Sequence, residues 1–259
     1  MSDAGSHRSS PFSVDSAEQD LPVPPAQWDV DAHLPQLERE SLNVKQEHLV
    51  LALDYVGALL DAKGYAWAVM GGLAFFMHGN KNRNTRDVDV AIEAKPKEVI
   101  AALKDDRIFT PPLLSMAGSG CGKFYVVLGF ESGGDRQIVE VDLIMAGHLG
   151  APKNLSDVTV TKMAETAAGP RIYKVLSVQQ LFRAKLHALN VRDAERDFGD
   201  LEWLCFIHIR EIQEVADTMD ELERMNFVSK YRKKYPEKGV AVIEALKVAL
   251  RLGPEEYSG

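Results

Sequence analysis

The chain has 259 residues, of which 46% are hydrophobic, and it carries 38 acidic and 30 basic side chains for a formal net charge of −8. This length suffices for one large domain or for a domain with a helical appendage. The acidic excess excludes broad nonspecific binding of nucleic acid, which depends on Lys and Arg to neutralise phosphates, although it leaves room for a small basic patch.

The N-terminal segment, residues 1–25, is rich in Ser, Pro, Asp and Gln and offers few large apolar side chains. Such a composition buries too little apolar surface to offset the entropy of ordering, so we expect a disordered tail. Between residues 44 and 63 the apolar positions recur at helical spacing, and Gly64 follows as a stop signal. We expect this helix to cover one face of a sheet.

A glycine pair, Gly71-Gly72, joins a short apolar strand candidate over residues 67–70 to a helix expected over residues 73–78. Glycine allows the chain to turn closely from strand to helix. The first backbone N–H groups of a helix have no internal partner, so they form a ready site for phosphate oxygens. His78 is expected to cap the end of this helix.

Two acids, Asp87 and Asp89, lie two residues apart in an apolar strand that Arg83 and Thr85 precede. Side chains alternate faces along a strand, so both carboxylates project to one side. Two like charges so placed need a cation or a proton. Mg²⁺ prefers a few carboxylates supplemented by waters and substrate phosphates, so this pair indicates a magnesium site beside the phosphate cradle.

Two further strands are expected over residues 123–130 and 136–145. In the second of them apolar and acidic residues alternate, so Glu140 and Asp142 share a face that should look toward the first acid pair. Together these elements predict an α/β unit with a mixed sheet.

Residues 118–123 read Gly-Ser-Gly-Cys-Gly-Lys and contain the Gly-Lys pair of a phosphate-binding P-loop. The Walker pattern also requires a glycine where this chain has Ala117, and a Ser or Thr where it has Phe124. The P-loop is therefore excluded. We expect instead a flexible approach to a hairpin that acts as a lid, with Cys121 exposed.

Cys121 and Cys205 are the two cysteines of the sequence. They are too few for a disulfide framework or a zinc site, so we expect a reducing, cytoplasmic location. No apolar run approaches the roughly 20 residues of a membrane-spanning helix, and we expect no membrane association.

Beyond Pro170 the pattern changes to helices, expected over residues 178–191, 194–212, 215–225 and 240–252. We therefore divide the chain into a tail (1–25), an α/β domain (26–170) and a C-terminal helical domain (171–259). The most basic stretch, residues 230–235, interleaves Lys and Arg with Tyr. This pattern is compatible with an RNA contact, but it is more often a solvated helix end.

The glycine pair, the spacer and Asp87-x-Asp89 between apolar residues resemble the first motif of the nucleotidyltransferase superfamily. Within it the chain is most similar to the minimal branch that includes the AbiEii toxins. A leucine-rich helix with a central Lys185, followed by Asp197-x-x-Asp200, resembles a second segment of these proteins. The resemblance covers roughly residues 65 to 205. Gly72 stands where the family usually has a serine.

The resemblance implies a nucleotidyltransferase-like α/β fold and an Mg²⁺-dependent enzyme that uses two ions. Such an enzyme moves a nucleoside monophosphate from an NTP, such as ATP, to a hydroxyl of RNA, protein or a small molecule and releases pyrophosphate. Asp87, Asp89 and Asp142 are the expected catalytic and metal-binding residues, and Glu140 is the reserve candidate for the third position.

The expected nucleotide-binding residues are Gly71, Gly72, Arg83, Thr85 and Lys185. Arg83 equally fits a pairing with an acid that fixes its loop, and Lys185 equally fits a solvated lysine. Asp197 and Asp200 are expected to brace Arg192, Arg196 or Lys185 rather than to bind metal. The alternative function is a noncatalytic nucleotide-binding module on the same fold, against which the presence of all three acids argues. Acceptor, oligomeric state and any antitoxin partner are not specified by the sequence.

Overall fold

The computed structural model describes residues 30–110, 118–129, 136–166 and 169–253, so the expected tail lies outside the described residues. The helices are α1 (Val30–Glu40), α2 (Gln46–Ala62), α3 (Gly71–Met77), α4 (Pro96–Ala102), α5 (Val178–Arg192), α6 (Glu195–Ile207), α7 (Ile209–Ala216), α8 (Glu221–Lys234) and α9 (Gly239–Ala249). The strands are β1 (Trp67–Met70), β2 (Asp87–Ile92), β3 (Ile108–Phe109), β4 (Cys121–Leu128), β5 (Gln137–Met145), β6 (Thr159–Thr166) and β7 (Gly169–Leu176).

These strands form one mixed sheet in the order β3-β4-β5-β2-β1-β7-β6. At its centre β2 runs antiparallel to β1 and parallel to β5, and β1 runs parallel to β7. The outer neighbours pair antiparallel. Helices flank the sheet and α5 to α9 follow it, which confirms the predicted fold class.

The core is continuous from α2 through the central strands to the C-terminal helices. Leu53, Val56 and Leu60 of α2 are fully buried, as the helical spacing predicts. Val88 and Val90, which alternate with the two acids of β2, are also fully buried. The strand therefore keeps an apolar face for the core and leaves its acidic face for a cavity.

The hairpin formed by β6 and β7 was not predicted from the sequence. Its strands carry few large apolar residues, and the outward side chains of the cross-strand pair Met163 and Ile172 are largely exposed. β7 spans the expected domain boundary at residue 170, since the sheet continues to Leu176 through the pairing of Val175 with Val69. The C-terminal helical region therefore begins at α5.

The C-terminal helices differ from the expected ones in two stretches. The helix expected over residues 194–212 is divided into α6 and α7 at His208, whose backbone (φ −118°, ψ 34°) is not helical. The expected helix over residues 215–225 is wrong, because this stretch holds the end of α7, a turn and the start of α8. Among the described residues, no helix is long and apolar enough to cross a membrane.

Candidate active site

The turn between β1 and α3 holds an acid against the backbone. Gly71 has a φ of 59°, in the left-handed region that favours glycine. A Cβ at this position would lie 1.7 Å from Oδ2 of Asp89. The Gly72 N–H donates to the Asp89 carboxylate, so at least one backbone group expected to bind phosphate already has a partner in this structure.

The second glycine makes room for a hydroxyl from another loop. A Cβ on Gly72 would lie 2.3 Å from Oγ1 of Thr85, and that hydroxyl donates a hydrogen bond of 2.7 Å to Oδ1 of Asp87. Gly72 replaces the serine that is usual in the family. Thr85 therefore fills the space that a side chain at residue 72 would need, and it orients the first acid of the pair.

The pairing of β2 with β5 brings the acids together. The register sets Asp89 opposite Asp142 and Asp87 opposite Glu140. Asp87, Glu140 and Asp142 each offer a carboxylate oxygen, and these oxygens lie within 4.8 Å of one another. Oδ1 of Asp142 is buried and has no hydrogen-bond partner among the described residues. An oxygen cluster with a buried, unpartnered acceptor fits a hard divalent cation such as Mg²⁺.

The acids repel one another in the absence of a cation. Burial, reinforced by the charge of Asp87, raises the pKa of Asp89 to about 6. Burial, followed by the charges of Asp89 and Glu140, raises the pKa of Asp142 to about 7. Both directions indicate that negative charge is costly here until a cation neutralises it.

Glu140 and Asp142 differ in their partners. Lys123 donates to Glu140 at 2.5 Å, so the charge of Glu140 is largely compensated. Oδ1 of Asp142 has no hydrogen-bond partner among the described residues, although both acids belong to the cluster that fits a cation. This contrast favours Asp142 as the third carboxylate, with Glu140 as the reserve.

Cys121, at the start of β4, lines the cavity rather than being exposed as expected. Burial, reinforced by the charge of Asp142, raises the pKa of its thiol to about 12. A thiol with so high a pKa stays protonated at neutral pH and is a poor nucleophile. Lys123, the lysine of the excluded P-loop, is held by Glu140 instead.

Two buried acids on α6 hold the cations expected at the site. The Lys185 ammonium lies 2.9 Å from Asp197 and 2.8 Å from Asp200. Arg192 donates to both oxygens of Asp197, and Arg83 donates to Asp200 at 2.7 Å. Asp197 and Asp200 thus brace these cations, as expected, and Arg83 pairs with an acid. A phosphate contact by Arg83 or Lys185 stays a prediction.

The acids and the glycine turn open into a cavity of about 390 Å³. Its opposite wall is formed largely by α5, with the apolar side chains of Leu181, Ala184, Ala188 and Val191. Leu149 and Arg196 also line it. Sequence patterns had indicated the acids, the glycines, Lys185 and, as a possible partner of Asp197 or Asp200, Arg196. No local signal marked Leu149 or the apolar wall.

Two other sequence features lie outside the cavity lining. His78 is the C-cap residue of α3, and its Nε2 lies 2.8 Å from the carbonyl oxygen of Leu176. In the basic stretch, Lys230 pairs with Asp193 and Lys234 pairs with Glu195. These ion pairs favour a solvated helix end over an RNA contact.

Residues 57–239 match the family described as nucleotidyl transferase AbiEii toxin, type IV TA system. The chain belongs to the AbiEii nucleotidyl transferase family. The match spans the glycine turn, both acid-bearing strands and α5 to α8. The resemblance stated from the sequence motifs is thereby confirmed.

Several solved structures are similar to this AbiEii family member. A candidate nucleotidyltransferase from H. pylori is 13% identical, with a TM-score of 0.44, and the similarity covers 80% of this chain and 93% of that one. JHP933 from Helicobacter pylori is 14% identical, with a TM-score of 0.41 and coverage of 80% and 90%. The antibiotic-resistance factor ANT(2'')-Ia is 13% identical, with a TM-score of 0.36 and coverage of 74% and 94%. The comparison with curated proteins finds no match.

Proposed function

We propose that this protein is an Mg²⁺-dependent nucleotidyltransferase that moves a nucleoside monophosphate from an NTP to a hydroxyl acceptor and releases pyrophosphate. The observation that carries the proposal is the buried Oδ1 of Asp142, which has no partner among the described residues, in an acid that clusters with Asp87 and Glu140 beside an open cavity. We place the activity in the cytoplasm, because both cysteines are free.

Asp87, Asp89 and Asp142 are the proposed metal-binding residues, for two ions in all. Bound Mg²⁺ would neutralise charge on the triphosphate and lower the barrier to in-line displacement at the α-phosphorus. Thr85 fixes the rotamer of Asp87 through its hydroxyl, and the Gly72 N–H holds Asp89. These contacts keep the carboxylates in place before substrate arrives.

Asp142 is also the proposed acceptor of the proton from the attacking hydroxyl. Its Oδ1 is buried beside the cavity and has no hydrogen-bond partner among the described residues, so it is placed to accept a proton. Lys123 compensates Glu140, so Glu140 supports the field around Asp142 without being free to take the proton.

The test is to incubate the protein with each of four α-labelled NTPs, Mg²⁺ and crude cell extract, and then to ask whether label enters RNA, protein or small molecules. The expected result is Mg²⁺-dependent transfer that Asp142→Asn abolishes. Asp157→Asn removes an equal charge at an exposed position away from the cavity and serves as the matched control. Nucleotide binding without any turnover would overturn the enzyme and favour the noncatalytic module.

A further inference from the structure

Four permanent cations line the cavity, and their partners differ. They are Arg83, Lys185, Arg192 and Arg196. The first three donate to Asp197 or Asp200, whose side chains are 0% and 2% exposed. These three cations can offer substrate phosphate only the N–H donors that the carboxylates leave free, because drawing a cation away would leave an uncompensated buried charge, which is costly.

Arg196 differs from these three cations. It lies in the first turn of α6, exposed at the cavity, and it makes no hydrogen bond or ion pair with any residue that the structure describes. Arg196 thus lines the same cavity as Asp87, Asp89 and Asp142, and its side chain is exposed.

The ion pairs of Asp197 also fix the backbone next to it, at Arg196. Its neighbour Asp197 is fully buried between Lys185 and Arg192, which anchors the first turn of α6 to α5. A residue next to this anchor has its backbone fixed although its side chain is free. The helix thus presents an exposed guanidinium to the cavity from a fixed backbone position.

We infer that Arg196 is the side chain that binds the phosphate chain of the nucleotide, while Arg83, Lys185 and Arg192 serve mainly to hold the cavity together. A guanidinium donates to two phosphate oxygens at once, a geometry that a single ammonium does not reproduce. Binding phosphate at Arg196 displaces only water. The inference rests on the proposed function for the identity of the ligand as an NTP.

Calorimetric titration with each of the four NTPs in Mg²⁺, without acceptor, measures binding apart from turnover. Arg196→Gln should weaken the tightest of them about 10- to 100-fold, the scale expected for charge-assisted bidentate contacts. Arg196→Lys should recover only part of this loss. Binding of the matching nucleoside, which has no phosphate, should not change.

Two variants serve as comparisons. Arg210→Gln removes an equal charge from an exposed position of α7 outside the cavity lining and should leave NTP affinity unchanged. Arg192→Gln breaks the bidentate contact to buried Asp197. It should therefore lower the melting temperature and change NTP affinity less than Arg196→Gln does. Arg196→Gln should leave the melting temperature of the free protein unchanged, because no hydrogen bond or ion pair with a described residue is lost.

The outcomes separate this inference from the proposed function. Wild-type affinity in Arg196→Gln, or an equal loss in Arg192→Gln, overturns the role of Arg196 and leaves the enzyme standing. Arg196-dependent binding without turnover overturns the enzyme and keeps the role of Arg196. Failure of the wild-type protein to bind any of the four NTPs overturns both.

Discussion

The behaviour of the acidic centre depends on single oxygen atoms. Asp87 receives the Thr85 hydroxyl, Asp89 receives the Gly72 N–H and Glu140 receives Lys123, whereas Oδ1 of Asp142 receives nothing among the described residues. Neighbouring carboxylates with such different partners should respond differently to the same neutral substitution.

We predict that Asp142→Asn lowers turnover at least about 100-fold, the usual scale for a positioned general base, with little change in NTP affinity. Glu140→Gln should have a much smaller effect, because Lys123 already compensates Glu140. Single-turnover rates and NTP affinities of both variants measure the difference. The opposite ranking would assign the third position to Glu140.

The fit of Gly72 against Thr85 leads to a second prediction. Gly72→Ala should destabilise the protein by about 1–3 kcal/mol, because the new Cβ would lie 2.3 Å from Oγ1 and 2.6 Å from Cβ of Thr85. Thr85→Gly removes both atoms, so the same substitution should cost less in that background, a coupling that a double-mutant cycle in urea measures.

Gly199→Ala is the matched control for this cycle, since no atom lies within 4 Å of a Cβ at residue 199 of α6. Alanine there should be neutral or stabilising, because it improves helix propensity. Strict additivity of the Gly72 and Thr85 substitutions would show that the two residues do not compete for space.

At the scale of elements, α5 and α6 are joined by a buried charge cluster. Lys185 is 8% exposed and lies between Asp197 and Asp200. We predict that Lys185→Met lowers the free energy of unfolding by about 1.5–3 kcal/mol, because it removes the ammonium that bridges two buried carboxylates and leaves each of them with one arginine partner.

Lys174→Met, on the exposed outward face of β7, is the control and should change stability little. Urea denaturation of both variants gives the comparison. If Lys185→Met is as stable as the wild type but binds NTP poorly, Lys185 is free to contact phosphate and the assignment of that contact to Arg196 alone is wrong.

The elements that could be predicted from sequence are those with strong local patterns. β2 and β5 were predicted because apolar and acidic residues alternate, and α2 because its apolar residues recur at helical spacing. β6 and β7 escaped prediction, because strands with few large apolar side chains give a weak signal. The division at His208 depends on packing against neighbouring helices, which local spacing does not encode.

The site, too, could be predicted only where its residues form a strong local pattern. The glycine pair and the acids lie in one short segment and a nearby strand, so their roles follow from local spacing. The ion pair between Arg83 and Asp200 joins two residues that are distant in sequence, so local spacing does not reveal it. Only such pairings distinguish Arg196 from the other cations, so its state could not be inferred before the fold was known.

At the scale of the whole molecule, His78 links the centre of the sheet to the C-terminal helices. Its Nε2 contacts the Leu176 carbonyl, and its ring packs edge-on against His208. Burial lowers the pKa of His78 to about 4; Lys162 and His208 act in the same direction, and Glu211 opposes them. Nδ1 of His78 is buried and has no partner among the described residues.

We predict that His78 makes stability depend on pH between about 4 and its ordinary pKa of 6.5. The unfolded chain binds the proton more readily in this range, so the free energy of unfolding falls as the pH is lowered. The contribution approaches but does not exceed about 1.4 kcal/mol per pH unit. His78→Gln removes the titration, and urea denaturation from pH 7 to 5 should give a flatter profile. Parallel profiles would contradict the prediction.

The wall formed by α5 and the position of Arg196 on α6 have a consequence for synthesis on the ribosome. A nascent chain that has completed β5 already contains the acids of β2 and β5. It still lacks α5, which lies opposite them, and every cation from Lys185 onward. At translation rates of about 5–20 residues per second, the segment from Asp142 to Arg196 takes on the order of seconds to emerge. The cavity therefore forms late in synthesis. An unfinished chain has no enclosed site for the nucleotide that we propose as its ligand.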